Sequence, residues 1–414
     1  MPTPEALVNA PHGGIQPSEA ASREAPMHTS HATEALAEAD RLMTVCNSCR
    51  YCEGLCAVFP AMEMRRSFAD GDLNYLANLC HACGACYVDC QFSPPHEFNV
   101  NVPRVFAKVR NDSYRMYVRL RALAPLFERN GLAVSLITAL SVGLFFFGLM
   151  AINDPAVMFG VQTGPGAFYR ILSHNAMAAI FGAAFFYAIG ALILGFRMFW
   201  YDIGETRATL TNHVSVWRTM RDTMTLRYLD GGGSGCVNED ERPTDRRRLY
   251  HHLTFYGFLL CLASTTTATF YHYIVDHPAP YAWYDLPVVL GTLGGIGLLV
   301  GPAGLLWAKA KRDPALRDEN GRSMEHAFTV MLFLVSLTGM LLLVLRATPA
   351  MGTLLALHMG FVFGFFVTMP YSKFVHGIYR FGALVRYAKE RRALHEPTPS
   401  KARALGIPSS TAGR

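Results

Sequence analysis

The apolar positions of this chain fall into two regimes. Beyond about residue 130 they run in six long windows, approximately 132–152, 176–200, 252–274, 285–308, 326–346 and 351–372. Each approaches the ~20 apolar residues that a helix needs to cross a hydrocarbon core. One such window suits a buried core helix; six in series predict a membrane bundle. The fourth, PVVLGTLGGIGLLVGPAGLLW, is glycine-rich, which permits close backbone approach to a neighbouring helix. Before residue 130 the apolar residues are intermittent, and MEMRRSFADGDLNYLANL, between Cys56 and Cys80, has the spacing of a short helix. Residues 1–40 are rich in Ala, Pro, Glu, His and Ser, with no signal-peptide apolar core, and read as a disordered tail. The division expected is all-α: a tail at 1–40, a soluble helical lobe at 41–130, six spans at 131–380 with a large loop at 202–250, and a basic tail at 381–414.

Composition agrees, since 51% of the 414 residues are apolar and only 16% charged, too apolar a balance for a soluble protein of this size. Lys and Arg then give the orientation, because they are retained in cytoplasmic loops. Arg104, Lys108, Arg110, Arg115, Arg119, Arg121 and Arg129 precede the first span; 153–173 holds only Arg170; 202–250 holds eight arginines; 275–284 holds none. Lys309, Lys311, Arg312, Arg317 and Arg322 follow the fourth span, and the tail after Lys373 is basic again. Both termini and the lobe are thus expected in the cytoplasm. The net charge of +6 is explained by topology, and no basic patch is interleaved with stacking aromatics, so nucleic acid is not an expected partner.

Eight of the ten cysteines form two copies of C-x2-C-x2-C-x3-C: Cys46, Cys49, Cys52, Cys56 and Cys80, Cys83, Cys86, Cys90. This run holds cubane iron–sulfur clusters, whose iron favours soft, deprotonated thiolates. Zinc sites or a disulfide framework compete, but zinc ribbons separate their cysteine pairs by longer gaps, and a reducing compartment disfavours disulfides. The fourth cysteine of such a run ligates the other cluster in two-cluster proteins. Cys46, Cys49, Cys52 and Cys90 are therefore expected on one 4Fe-4S cluster and Cys80, Cys83, Cys86 and Cys56 on the second. Ala57 and Gln91 stand where proline usually follows the run. Cys261 lies in the third span as a packing residue and Cys236 reads as a spare thiol; His81, Asp89 and His96 lie near the runs, where they can tune the clusters or form a docking surface.

Histidines within membrane helices are functional candidates, because burying them unpaired is costly. At 1.5 Å per residue, the 20 residues from His252 to His272 and the 18 from His358 to His376 cover about 30 and 27 Å, near one membrane thickness each. The third and sixth spans run antiparallel, which pairs His252 with His376 at the cytoplasmic side and His272 with His358 at the outer side. Facing histidines can fill both axial positions of a b-type haem, the arrangement of an electron carrier. His251 and His326 are alternative cytoplasmic ligands, His174 reads as interfacial, and one haem or two fit the pattern. Gly257 and Gly360 are candidates for leaving room beside a porphyrin.

With these residues in view the chain resembles the tricarballylate-utilisation protein B family, also called citrate-utilisation protein B. The resemblance rests on CRYCEGLCAVFPAM at 49–62, CHACGACYVDCQFSPPHEF at 80–98, RYLDGGGSGC at 227–236 and RRLYHHLTFYGFLLC at 247–261. HMGFVFGFFVTMPYSKFVH at 358–376 is similar to a segment of the membrane cytochrome b subunit of respiratory nitrate reductases, where the terminal histidines bind haem. That likeness carries over to His358 and His376; the histidines of the counterpart helix there are more closely spaced than His252 and His272.

The resemblance implies a multi-pass protein of the bacterial inner membrane. It would reoxidise a separate cytoplasmic FAD-dependent dehydrogenase, converting tricarballylate to cis-aconitate, and pass electrons through the clusters and haem to membrane quinone. The chain itself would be an electron-transfer subunit rather than the dehydrogenase, and GGGSG at 231–235 is not placed as a flavin-binding fingerprint. The alternatives are the same relay serving another dehydrogenase, and an iron–sulfur redox sensor or transporter. A transporter is disfavoured by spans nearly free of Asp, Glu and Lys.

Overall fold

The computed structural model describes residues 30–117, 129–233, 235–238 and 240–395. Its N-terminal lobe contains five helices: α1 (Glu34–Cys49), α2 (Val58–Glu63), α3 (Asp70–Leu79), α4 (Ala85–Val88) and α5 (Val102–Met116). Thr33 caps α1 through a bond from Leu36 N, and Asn101 caps α5 through one from Arg104 N, satisfying amides that a helix start leaves open. Leu42, Met43, Met62, Leu73, Leu76 and Phe106 are fully buried at the lobe centre. The short helix expected between the cysteine runs is two helices, α2 and α3, parted at 64–69.

Among the described residues six helices are long and apolar enough to cross a membrane: α6 (Asn130–Ile152), α7 (His174–Asp202), α9 (Arg246–Tyr273), α10 (Leu286–Lys311), α11 (Glu319–Leu345) and α12 (Met351–Thr368), the last continued by a short turn to Tyr371. They match the apolar windows and are compatible with a multi-pass membrane protein. The expected loop 202–250 contains α8 (His213–Met224) and a hairpin of β1 (Cys236–Val237) with β2 (Pro243–Thr244), pairing Cys236 with Thr244.

Two boundaries differ from expectation. The tail predicted to reach residue 40 ends earlier: α1 already starts at Glu34, and His31 Nδ1 lies 2.6 Å from Asp70. Residues 1–29 lie outside the described residues. At the other end, much of the expected tail is α13 (Val375–His395), which returns to the lobe; 396–414, with Arg119 and Arg121, lie outside the described residues. Arg386 bonds Asp72 (2.8 Å) and Glu390 (2.9 Å), Arg65 bonds Asp72 (2.9 Å) and Glu390, and Tyr75 donates to Glu390 at 2.9 Å. Lys389 binds buried Glu205 at 2.6 Å, tying α13 also to the end of α7. A basic tail thus becomes a clamp because its charges meet carboxylates in partly buried positions, where pairing is worth more than at a free surface.

The glycines also act differently from expectation. A Cβ on Gly257 would stand 2.9 Å from Gly294 O, and one on Gly360 only 2.5 Å from Val142 Cα. These positions are where backbones meet, α9 on α10 and α12 on α6, so they leave no space for a porphyrin. A Cβ on Gly294 would lie 2.8 Å from Cys261 Sγ and from Gly257 O. Gly294→Val is expected to lower stability by about 1–3 kcal/mol, the usual cost of overpacking. Gly143→Val, with nothing within 4 Å of its Cβ position, should leave the thermal midpoint in detergent unchanged.

Candidate redox site

The eight cysteines of the two runs collect around two adjoining hollows. Cys46, Cys49, Cys52 and Cys90 line an outer cavity of about 280 Å³, with Val45, Phe59 and Asp89 in its wall. Cys56, Cys80 and Cys83 line a smaller inner one with His81 and Tyr228, and Cys86 lines both. The chain path produces this crossing. Cys56 leaves its run immediately before α2, Cys90 leaves the second immediately after α4, and each lies among cysteines of the other run. Among the described residues no three His, Cys, Asp or Glu side chains converge on a single-ion site.

Burial, reinforced by the neighbouring thiols, pushes Cys46 and Cys52 up to about 12 and Cys83 up to about 11. Burial also raises Cys56 and Cys86 well above the ordinary thiol range. A thiolate set in such surroundings requires a positive centre beside it, which is what iron supplies.

The inner hollow sits on the membrane bundle. Arg110 of α5 donates to Ala77 O (2.7 Å) and Cys80 O (3.2 Å); Arg380 of α13 donates to Cys80 O (2.9 Å); Arg247 of α9 donates to Ala82 O (2.8 Å) and His81 O (3.1 Å). Just behind them, His251 and His376 face each other with ring centroids 6.1 Å apart and planes at 75°. The Nδ1–H of His376 donates to Lys373 O, while His251 Nδ1 is buried with no hydrogen-bond partner. Burial, together with Arg380 and Lys373, holds His376 well below the usual imidazole range, so its ring is neutral at pH 7.

The expected histidine pairs are therefore re-formed. His376 meets His251, not His252, whose ring lies against Tyr256 at 5.8 Å. Adjacent helical residues point about 100° apart, so only one of the two can face α13. His272 does not meet His358; it stacks on His174 of α7, centroids 3.5 Å apart. His358 lies instead against α11, Nδ1 3.1 Å from Thr338 Oγ1, where a Cβ on Gly339 would stand 2.9 Å from its ring. Matching depths did not make neighbours, because α9 packs chiefly along α10 rather than α12. His326 bonds Arg322 O within its own helix.

Two further parts of the site had faint sequence signals. Cys236 is buried against Cys83 in a small cluster with Leu226 and Leu229, and its Sγ lies 3.9 Å from Arg247 Nη1. The glycine run before it lies on both cysteine runs: Gly231 and Gly232 have φ of 56° and 79°, and their absent Cβ positions face Ala85 and Leu55. Positive φ, which glycine adopts freely, lets this turn close on the lobe. His96 packs at the surface between Phe92 and Phe98.

The chain matches the family described as Citrate utilization protein B over residues 125–397, and that family's Fer4-like domain over residues 39–116. A curated relative, the citrate utilization protein B of Escherichia coli, is 47% identical over 361 residues, covering 87% of this chain and 94% of its own. No solved structure matches. A Fer4-like domain bearing two crossed cysteine groups, set on six apolar helices, is consistent with an iron–sulfur electron-transfer role. With both the lobe and the bundle matched, the chain belongs to the citrate utilization protein B family.

Proposed function

We propose that this protein is the membrane electron carrier for a separate flavoprotein dehydrogenase, with electrons passing through two 4Fe-4S clusters and a b-type haem to quinone. The observation that carries the reading is the junction at the inner hollow, where the second cysteine run, His81 and the His251/His376 pair adjoin. Cys46, Cys49, Cys52 and Cys90 would hold the outer cluster, and Cys56, Cys80, Cys83 and Cys86 the inner one. Cys49 is exposed, so the outer set offers an edge for a docking donor. When bound, clusters and haem supply one-electron carriers that divide the two-electron output of a flavin.

Of the histidine pairs, His251/His376 fits a haem iron. The two rings face each other at 6.1 Å between centroids, so they are the residues that would hold a haem iron, which would supply a one-electron carrier there. His376 holds its Nδ1–H on a carbonyl, which fixes the ring and leaves Nε2 for metal. The 3.5 Å stack of His174 on His272 is too close for an iron between the rings. One haem, near the lobe, is therefore the reading favoured.

The lobe and both termini are assigned to the cytoplasm from the Lys and Arg distribution. The curated relative is named for citrate utilization; we assign this chain to the same work, with a tricarboxylic acid such as tricarballylate or citrate as the partner's substrate.

Anaerobically purified protein is expected to contain about eight non-haem irons, with matching acid-labile sulfide, and to give a b-type band in the dithionite-reduced minus oxidised spectrum. Zinc without sulfide would overturn the cluster assignment, and iron without the optical band would overturn the haem. His251→Ala and His376→Ala should each abolish that band, whereas His252→Ala keeps it; the reverse pattern would restore the pairing expected from helix depth. Cys56→Ser and Cys90→Ser should each lose about half the iron, the share of one four-iron cluster, while Cys236→Ser retains all of it.

A further inference from the structure

The two cysteine hollows lie in unlike electrostatic surroundings. Around the inner one, Arg110, Arg247 and Arg380 converge from three helices on the backbone carbonyls of residues 77–82. Arg110 is only 5% exposed. Arg312, at the end of α10, interacts electrostatically with Cys80, and its one guanidinium bond goes to Leu316 O at 2.9 Å. Burial and mutual repulsion depress Arg312 and Arg380 to about 10. Among the described residues none of the four forms a salt bridge, and Glu325, the carboxylate facing Arg312, is bonded by Lys373 at 2.8 Å. Neutral carbonyls accept their hydrogen bonds, and Glu325, the carboxylate that acts on Arg312, is shared with Lys373 and Lys309, so positive charge is in excess here. Buried charge in that condition is costly unless an anion lies beside it.

The outer hollow has no such set. Its wall carries the carboxylate of Asp89, which interacts with Cys52 but is exposed and therefore screened by water, and Cys49 opens to solvent. Arg50 lies nearby but is exposed, so water screens it.

We infer that Arg110, Arg247, Arg312 and Arg380 are positioning residues that raise the reduction potential of the inner centre above that of the outer, so that electrons entering at the exposed lobe edge settle on the membrane side. The inference rests on the two-cluster reading. A four-iron cluster with four thiolates gains one negative charge on reduction, and buried positive charge stabilises that form more than the oxidised one. Each transfer oxidises the outer centre by one electron and reduces the inner by one, with no bond made or broken. Arg110, Arg247 and Arg380 thereby serve two ends, holding residues 77–82 through carbonyl hydrogen bonds and biasing the electron through their excess positive charge.

The test is a potentiometric titration of the anaerobic full-length protein, followed by electron paramagnetic resonance, with iron and sulfide counted on the same sample. Wild type should give two separable midpoints. Arg380→Gln should lower the higher midpoint and leave the lower unmoved, while Arg380→Lys, which keeps the charge, restores it. Arg312→Gln, whose guanidinium does not touch residues 77–82, should lower the same midpoint without disturbing the fold there. Coincident midpoints in wild type, a shift confined to the lower midpoint, or no shift in Arg312→Gln and Arg380→Gln would each overturn the inference while leaving two clusters intact. Absence of any cluster signal, with no labile sulfide, would instead overturn the underlying reading.

Discussion

Lobe and bundle form one unit because the backbone of residues 77–82 is gripped from three directions. Arg110 reaches it from within the lobe, Arg247 from the start of a spanning helix and Arg380 from the final helix. Hydrogen bonds to charged donors are each worth roughly 1.5–3 kcal/mol, and this peptide segment carries Cys80, which opens the second run. The register of the inner hollow against the bundle is thus fixed by main-chain carbonyls, which cannot change rotamer. Without that grip the His251/His376 pair would have no defined distance from any cysteine.

Much of this architecture was legible in the chain. The six spans followed from apolar windows alone, because a membrane helix has to be apolar along its length whatever it packs against. The cysteine spacing led to crossed grouping, since in two-cluster proteins the final cysteine of each run, four positions beyond the third, ligates the other cluster. Helical positions at matching depth were a weaker guide. Rise along an axis is a property of one helix, whereas a contact depends on azimuth and on which neighbour is adjacent. His252 and His251 differ by one position in depth but by about 100° around the axis, and the structure turns His251 toward His376.

Other features were hidden for a different reason: their meaning lies in what they meet. Gly257, Gly294, Gly297 and Gly301 bring α9 and α10 into backbone contact, a purpose that glycine content suggests but cannot assign to a partner. Arg386, Lys389 and Glu390 look like an ordinary solvated charge run until α3 supplies Asp72 and the turn after α7 supplies Glu205. Cys236 stands far from both runs in sequence, and only the turn at Gly231 and Gly232 brings it beside Cys83.

The clamp made by α13 has a consequence for biogenesis. Arg65 and Glu390, partners in the ion network, are 325 positions apart. At ribosomal speeds of roughly 5–20 residues per second, the lobe exists for on the order of tens of seconds before α13 has been made. Throughout that interval the lobe is tethered to the growing bundle without being seated by its closing helix, and the inner hollow lacks Arg380. The order of the chain therefore puts the contacts that lock the lobe at the end of synthesis, with the seal arriving last.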